Sequence, residues 1–366
     1  MLRAFFIRNI GRCVHARLIT ETETFRYHPG KQIQKVDSHL LVSDFKFQRG
    51  VIIQPFLIFF LFFLGILLII RGGDRFVGAA GDIAAISGIP PFVIGATIVS
   101  VATTLPEIIV SVTAAYQGQA EMATGNAIGS VTANTAMILS LPVIFIPSSI
   151  DRLRYLPKTA LLIAAVILLW LTGLSGMLTP IGCMGLMLLL GVFIWENLRS
   201  AKRDRIGETA VETASLPKNI LFFLLGAAAI ILGSRLLVDN GTRIARDILC
   251  IDERIVSLTM VAVGTSLPEL VTSVSAIIKR KASLALGNIL GANIIDMLLI
   301  LPLCAVIQGG TLPVSRATVW IDLPFCLFAV MILLVPALIR GRFYRVQGIL
   351  SLLFYIIYMV ILFTVG

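Results

Sequence analysis

Charged residues are scarce in this sequence of 366 residues, since only 14% are Asp, Glu, Lys or Arg. A soluble domain usually has about 25% charged and about 45–50% apolar residues, whereas 57% of this chain is apolar. This composition excludes a soluble enzyme. All three histidines precede residue 40, so no chemistry inside a membrane can use an imidazole. The five cysteines are scattered without a CxxC pair, which argues against a disulfide framework and a zinc site.

The basic residues lie in short clusters between long apolar runs. The net charge is +10, but no basic helix collects it, so loops bordering a membrane are a better interpretation than nucleic-acid binding. Most Lys and Arg residues of the loops, among them Lys158, fall on one side of the predicted spans. By the positive-inside rule this side is cytoplasmic and both termini lie outside. The lipid bilayer is therefore the predicted partner, with no nucleic acid and no obligate protein partner.

Ten stretches are apolar enough to cross a membrane as helices, which needs about 20 residues each. The sequence therefore predicts an all-α integral membrane protein with ten transmembrane helices in two groups of five. The approximate bounds of the spans are 52–70, 89–116, 123–147, 156–173, 178–195, 218–238, 254–278, 284–307, 317–339 and 347–365.

Four segments are expected along the chain. Residues 51–196 and 218–366 hold five helices each, and the polar segment 197–217 between them is predicted to be a cytoplasmic linker. Residues 1–50 form an N-terminal extension that is predicted to be disordered or not native. A cleaved organellar presequence is the alternative for its first 20 residues, which contain four Arg and no Asp or Glu.

The two halves of the chain match each other at a fixed offset of 162 residues. The segment TTLPE at 103–107 aligns with TSLPE at 265–269, and GNAIGS at 125–130 aligns with GNILGA at 287–292. The same register places Asn134 on Asp296. Because each half holds an odd number of spans, the second copy enters the membrane inverted relative to the first. Inverted repeats of this kind are typical of transporters, whose site lies at the midplane where the copies meet.

Three acidic residues lie deep inside the predicted spans: Glu107, Glu269 and Asp296. Burying a carboxylate in a bilayer costs at least about 2.5 kcal/mol, so such a residue needs a partner or a polar cavity. No Lys, Arg or His lies near them within these spans. The predicted partner is therefore a cation that binds and leaves.

Proline precedes the glutamate in both copies of the motif. Pro106 and Pro268 have no N–H to donate to the carbonyl four residues earlier, so they are predicted to break their helices and free carbonyl oxygens. Thr103 and Thr104 lie four and three residues before Glu107, which places hydroxyls and carboxylate on one helix face.

The partner helices of this motif add further oxygens and small residues. Ser130 and Asn134 are four residues apart, and Asn293 and Asp296 are three apart, so each pair is also predicted to lie on one helix face. Glycines four residues apart are predicted to let these helices approach closely. Oxygen ligands without thiolate or imidazole suit Ca²⁺ or Na⁺ rather than zinc or copper.

These copies resemble the alpha-repeats of the calcium/cation antiporter superfamily, specifically its sodium/calcium exchanger branch in the compact bacterial form. The resemblance covers residues 52–366. It implies a ten-helix fold in a bacterial inner membrane, four central helices around the site, and alternating access in which Na⁺ moves inward as Ca²⁺ leaves. No cofactor is implied, because the ions are cargo. The ion ligands that it implies are Thr103, Thr104, Glu107, Ser130 and Asn134 from the first copy and Thr265, Ser266, Glu269 and Asp296 from the second.

The chain departs from the family pattern at a few positions. Ala292 stands where the second repeat normally has a serine, which removes a side-chain oxygen and leaves the number or affinity of the Na⁺ sites open. Ala102 stands where the family usually has a glycine, and Val131 where it usually has an asparagine. Both differences are interpreted as changes in packing. Some family members have an amide where this chain has Asp296, and an acid at this position resembles the potassium-dependent branch as well. Coupling to K⁺ therefore stays open.

Other functions remain as alternatives. A proton-coupled antiporter of the same fold would use the same buried carboxylates as titrating groups, whereas the hydroxyls of Thr104, Ser130 and Ser266 favour Na⁺. An intramembrane hydrolase lacks a His for a triad and a second Asp beside Asp296. An ion channel does not need a set of acids in a closed midplane site.

Overall fold

The computed structural model describes residues 38–145, 149–203, 216–244 and 264–365. These residues form eleven helices and one short pair of strands. The helices are α1 (Ser38–Ser87), α2 (Pro91–Thr103), α3 (Leu105–Tyr116), α4 (Ala120–Phe145), α5 (Arg152–Gly173), α6 (Pro180–Arg203), α7 (Leu216–Arg243), α8 (Leu267–Ile278), α9 (Ala282–Ile307), α10 (Thr318–Arg340) and α11 (Arg345–Val365). The strands β1 (Met177–Leu178) and β2 (Leu312–Pro313) pair in antiparallel fashion.

Local sequence signals set several helix ends. Asp151 caps the start of α5, where its carboxylate accepts a hydrogen bond from the N–H of Leu153 at 3.0 Å. The helix α10 ends before Gly341, whose φ of 72° is a left-handed conformation that glycine adopts without strain. Between α1 and α2, Gly88 has a φ of 64°, and Pro91 then takes the first position of the next helix.

Eight of the described helices are long and apolar enough to cross a membrane, and α2 with α3 makes a ninth if this bent pair is one span. The predicted span 254–278 is represented only by α8, because residues 245–263 lie outside the described residues. Ten spans therefore stay a prediction. Residues 1–37 and 204–215 also lie outside, and with them most of the predicted extension and linker.

The contacts between Cα atoms group the chain into two compact units. The larger comprises Leu68–Leu232 and Thr265–Gly366, and it contains every candidate ligand. Of the described residues, 38–67, 233–244 and 264 belong to the smaller. Within the smaller unit, α1 and α7 pack closely at Gly65, where an added Cβ would lie 2.8 Å from the carbonyl oxygen of Gly233.

The core of the larger unit is built around α9 and α4. In α9, 83% of the apolar stretch is buried, and in α4 67%, whereas the six other spans formed by a single helix bury 44% or less. The outer helices expose apolar side chains such as Leu171, Leu188 and Phe328, as expected for helices that face lipid. The polar residues of α4 and α9 are therefore held in the interior.

Glycines let α9 approach α2 closely. A Cβ added to Gly287 would lie 2.2 Å from the carbonyl oxygen of Phe92, and one added to Gly291 would lie 2.6 Å from that of Ala96. Real Cβ atoms do not come this close to backbone oxygens, so only glycine fits at both positions. The predicted close approach is confirmed for these two glycines, whereas a Cβ added to Gly125 or Gly129 would meet no described residue within 4 Å.

Candidate ion-binding site

Three fully buried carboxylates lie near one another in the larger unit. Glu107 and Glu269 lie in the first turns of α3 and α8, and Asp296 lies in the middle of α9, each with 0% of its surface exposed. The charge of Glu107 interacts with those of both other acids, and Asp296 interacts with Glu269. The structure thus brings together the three acids that the sequence singles out.

Most oxygens of these carboxylates have no hydrogen-bond partner. Within the described residues, both oxygens of Glu107, both of Asp296 and Oε2 of Glu269 are buried and unpartnered. A buried charge without a partner is strongly unfavourable. The arrangement therefore has a local excess of negative charge that a bound cation would compensate.

The acids do not form a compact metal cluster by themselves. In the described ranges, no three Asp, Glu, His or Cys side chains converge as a group that could hold a metal ion. The predicted ligand set correspondingly includes hydroxyl, amide and carbonyl oxygens beside the carboxylates, which are ligands that Ca²⁺ accepts.

A sharp break in the helix positions Glu107. The axes of α2 and α3 differ by 46°, and the break falls at Thr104, whose φ and ψ are −81° and −1°. Pro106 takes the second position of α3, so the predicted break is confirmed. In the second copy Ser266 has nearly the same backbone angles, −85° and 5°, directly before α8 and its Pro268.

Threonine hydroxyls from the first copy reach residues of the second copy. The hydroxyl of Thr104 lies 3.5 Å from Oε1 of Glu269, and that of Thr103 lies 3.1 Å from Oδ1 of Asn288. Both threonines are buried. The two halves of the sequence therefore meet at the carboxylates.

Each of the two central helices contains a π-helical turn at the site. The turns run over Asn134–Ile138 in α4 and Asp296–Ile300 in α9, so they begin at the two residues that the repeat aligns. Such turns interrupt regular α-helical bonding and are frequent at functional sites. The Oδ1 atom of Asn134 is buried without a partner among the described residues, and Asn293 donates to the hydroxyl of Thr135 at 2.8 Å, which joins α9 to α4.

The remaining predicted ligands differ in their surroundings. Ser130 and Ser266 are buried, and the Oγ of Ser266 lacks a partner within the described part of the chain. Thr265 is partly buried. Ala292, the counterpart of Ser130, is fully buried and presents only a methyl group.

Two asparagines of the repeated Gly-Asn pairs support this site, although they are not among the predicted ligands. The amide nitrogen of Asn126 lies 3.3 Å from the carbonyl oxygen of Glu107 and 2.9 Å from the hydroxyl of Ser111. Asn288 contacts Thr103 and Thr272. Their presence in both copies of the motif is the signal that could have identified them.

The assignment of Lys158 to the basic residues of a loop is wrong. Its side chain is fully buried, forms an ion pair with Glu196 of α6, and lies 5.0 Å from the centre of the Phe92 ring. Glu196 also accepts a hydrogen bond from Ser200 at 2.8 Å. The sequence alone does not show that α6 supplies this partner.

Comparison with known proteins relates this geometry to a family of transporters. The family model described as sodium/calcium exchanger protein matches residues 57–198 and 218–364. The chain is 36% identical over 260 residues to the inner membrane protein YrbG of Escherichia coli, which covers 68% of this chain and 80% of YrbG. It is 28% identical over 348 residues to the sodium/calcium exchanger MaX1 of Methanosarcina acetivorans, which covers 84% and 99% of the two chains.

A solved structure is similar to most of the chain. The sodium-calcium exchanger NCX_Mj, soaked with 2.5 mM Na⁺ and 10 mM Sr²⁺, superposes with a TM-score of 0.73 at 29% identity, and the match covers 84% of this chain and 99% of that one. With its apolar helices, this likeness identifies the molecule as a multi-pass integral membrane protein.

Proposed function

Because the chain belongs to the sodium/calcium exchanger family, we propose that it is a sodium-coupled calcium antiporter of a bacterial inner membrane. It exports Ca²⁺ against inward Na⁺ by alternating access. Its role is that of a transporter and not of an enzyme. Its cargo is Ca²⁺ and Na⁺, with K⁺ as a further candidate because Asp296 resembles the potassium-dependent branch.

The observation that carries this proposal is the set of five buried carboxylate oxygens without a hydrogen-bond partner among the described residues. Three neighbouring acids repel one another, and no Lys or Arg among the described residues offsets their charge. A divalent cation between them removes most of this repulsion, and the hydroxyl and amide oxygens around them complete its coordination. When Ca²⁺ leaves, Na⁺ ions compensate the same charges, so the two ions compete for one site.

Sodium is favoured over protons by the uncharged oxygens of the site. A proton needs only one carboxylate, whereas a metal ion needs several oxygens around it. The buried Thr104, Ser130, Asn134 and Ser266 supply such oxygens next to or opposite the acids in the two copies of the motif. Proton coupling is the second candidate, because unpartnered carboxylates also bind protons.

The ten-helix architecture with two inverted repeats, 51–196 and 218–366, belongs to the same proposal. Two features support it. Both copies have the same backbone geometry before the Pro-Glu pair, and both central helices have a π-helical turn at the same register. Movement of one such half against the other can expose the site to either side of the membrane in turn.

Flux into proteoliposomes tests this function. Purified protein is reconstituted into Na⁺-loaded vesicles, and uptake of external Ca²⁺ is followed while the Na⁺ gradient, the pH gradient and K⁺ are varied separately. We expect uptake that requires internal Na⁺ and persists when the pH gradient is collapsed. Uptake driven by a pH gradient without Na⁺ would establish the proton-coupled alternative, and absence of Ca²⁺ uptake under every gradient would refute calcium antiport.

A further inference from the structure

A buried amide lies between the two copies of the motif beside the candidate ligands. Asn288 of α9 is 1% exposed, and the close contact of Gly287 and Gly291 with α2 brings it within hydrogen-bond distance of Thr103. The resemblance to the family assigns no role to this residue in the ligand set above. The role of Asn288 in ion binding rests on the proposed calcium transport.

Which groups donate and which accept around Asn288 follows from the number of protons that each group has, beginning with Thr272 in α8. The hydroxyl of Thr272 lies 2.8 Å from the carbonyl oxygen of Pro268 and 3.1 Å from that of Glu269. Carbonyl oxygens only accept, so Thr272 donates its single proton within its own helix. Its oxygen must therefore accept at 2.9 Å from Asn288, and the group of Asn288 that faces it is the NH₂.

This fixes the other end of the amide. If the NH₂ group of Asn288 faces Thr272, its Oδ1 faces Thr103 at 3.1 Å, and an amide oxygen only accepts. The hydroxyl of Thr103 is thus the donor. Two other acceptors lie within reach of this hydroxyl, the carbonyl oxygen of Ser100 at 3.3 Å and the carboxylate of Glu269. Asn288 competes with both at 3.1 Å, and when Thr103 donates to Asn288 its proton points away from the carboxylate.

While Thr103 donates to Asn288, its oxygen offers only lone pairs to the site. The carboxylate of Glu269, within hydrogen-bond reach of the same hydroxyl, also offers only lone pairs when it is ionised. Two groups of acceptors that face each other attract a cation between them. A free hydroxyl would instead rotate and donate to Glu269, which would stabilise the carboxylate in the absence of an ion.

We propose that Asn288 is a positioning residue for ion binding, which holds the Thr103 hydroxyl as an acceptor so that Thr103 and Glu269 bind the ion together. Without Asn288, Thr103 donates to Glu269, and an ion must break that hydrogen bond before it binds. Asn288 itself does not touch the ion.

A double-mutant cycle tests this coupling. We expect Asn288→Ala to raise the Ca²⁺ concentration for half-maximal exchange about tenfold, the size of one hydrogen bond to a charged group, with little change in the maximal rate. Thr103→Val removes the hydroxyl through which Asn288 acts. In that background Asn288→Ala should therefore have no further effect. Additive effects of the two substitutions would overturn the proposal.

A matched pair of threonine variants separates positioning from packing. Thr272 and Thr124 are both buried, and both donate to carbonyls three and four residues earlier, with Thr124 at 3.0 Å from Ala120 and 3.1 Å from Glu121. Only Thr272 also accepts from Asn288. Replacing each by Val removes one buried hydroxyl, but Thr272→Val alone frees the amide of Asn288 to turn its NH₂ toward Thr103.

We expect Thr272→Val to raise the half-maximal Ca²⁺ concentration several-fold and Thr124→Val to leave it unchanged. Equal values in the two variants would overturn the proposal, and this comparison stands even if the Asn288→Ala protein does not fold. The result is distinct from a failure of the proposed function, because in that case wild-type protein and Thr124→Val would not transport Ca²⁺ at all.

Discussion

Replacement of Glu107 by Gln should stabilise the ion-free protein and at the same time strongly weaken its binding of calcium. Both carboxylate oxygens of Glu107 are buried without a partner among the described residues, and Glu269 and Asp296 add their repulsion. Glutamine keeps the shape of the side chain, removes its charge, and adds N–H groups to which the neighbouring carboxylates can accept hydrogen bonds.

The two effects of this substitution differ in sign and in size. An unpaired charge inside the membrane costs at least about 2.5 kcal/mol, and Glu107→Gln avoids this cost, so the melting temperature without ions should rise by a few degrees. Loss of one member of a buried charge pair weakens binding by about 2–5 kcal/mol. The affinity for Ca²⁺ should therefore fall by about 30-fold to several thousandfold.

Thermal unfolding of the purified protein in EDTA and in Ca²⁺ measures both effects. Wild-type protein should be stabilised by Ca²⁺, since a ligand that binds only the folded state raises its stability. Glu121 is exposed at the start of α4, and Glu121→Gln is the matched control that should behave as the wild type. A Glu107→Gln protein that is less stable in EDTA than the wild type, or that Ca²⁺ stabilises at the same concentrations as the wild type, would refute the assignment of Glu107 as an unpaired ion ligand.

Two further predictions concern Ala292 and Lys158. Ala292→Ser restores the oxygen that its counterpart Ser130 has, so it should lower the Na⁺ concentration for half-maximal exchange about fivefold with little change in apparent Ca²⁺ affinity. An unchanged Na⁺ dependence in the flux assay would show that position 292 is not near a Na⁺ ligand position. Lys158→Met leaves Glu196 without its cation and should destabilise the protein by about 3–5 kcal/mol, whereas adding Glu196→Leu should recover most of that loss. Denaturant unfolding of the three proteins checks this, and a single variant as stable as the wild type would contradict it.

The sequence predicts the helices and the break at Thr104 well, because both depend on local chemistry. An apolar run of about 20 residues and a proline without an N–H act within a few turns of helix. The three acids are also identifiable, because carboxylates are rare in apolar spans and usually belong to a functional site. Whether the nine predicted ligands bind ions stays a prediction.

The contacts between distant helices could not be predicted from these rules. Lys158 finds its partner on α6, and Asn288 reaches Thr103 only because glycines bring α9 onto α2. Both depend on which helices are neighbours, and a hydropathy pattern does not contain that information. The π-helical turns at Asn134 and Asp296 likewise have no signature in a 3.6-residue period.

These π-helical turns have a consequence for mapping the two central helices by substitution or labelling. Five residues in a wider turn lag behind an ordinary helix by roughly a quarter turn about the axis. A scan that counts 3.6 residues per turn from Asn288 therefore identifies the correct face of α9 up to Asp296 and a face displaced by roughly a quarter turn beyond Ile300. The phase of such a scan has to be set again after each of the two turns, and the jump in phase would itself locate them in solution.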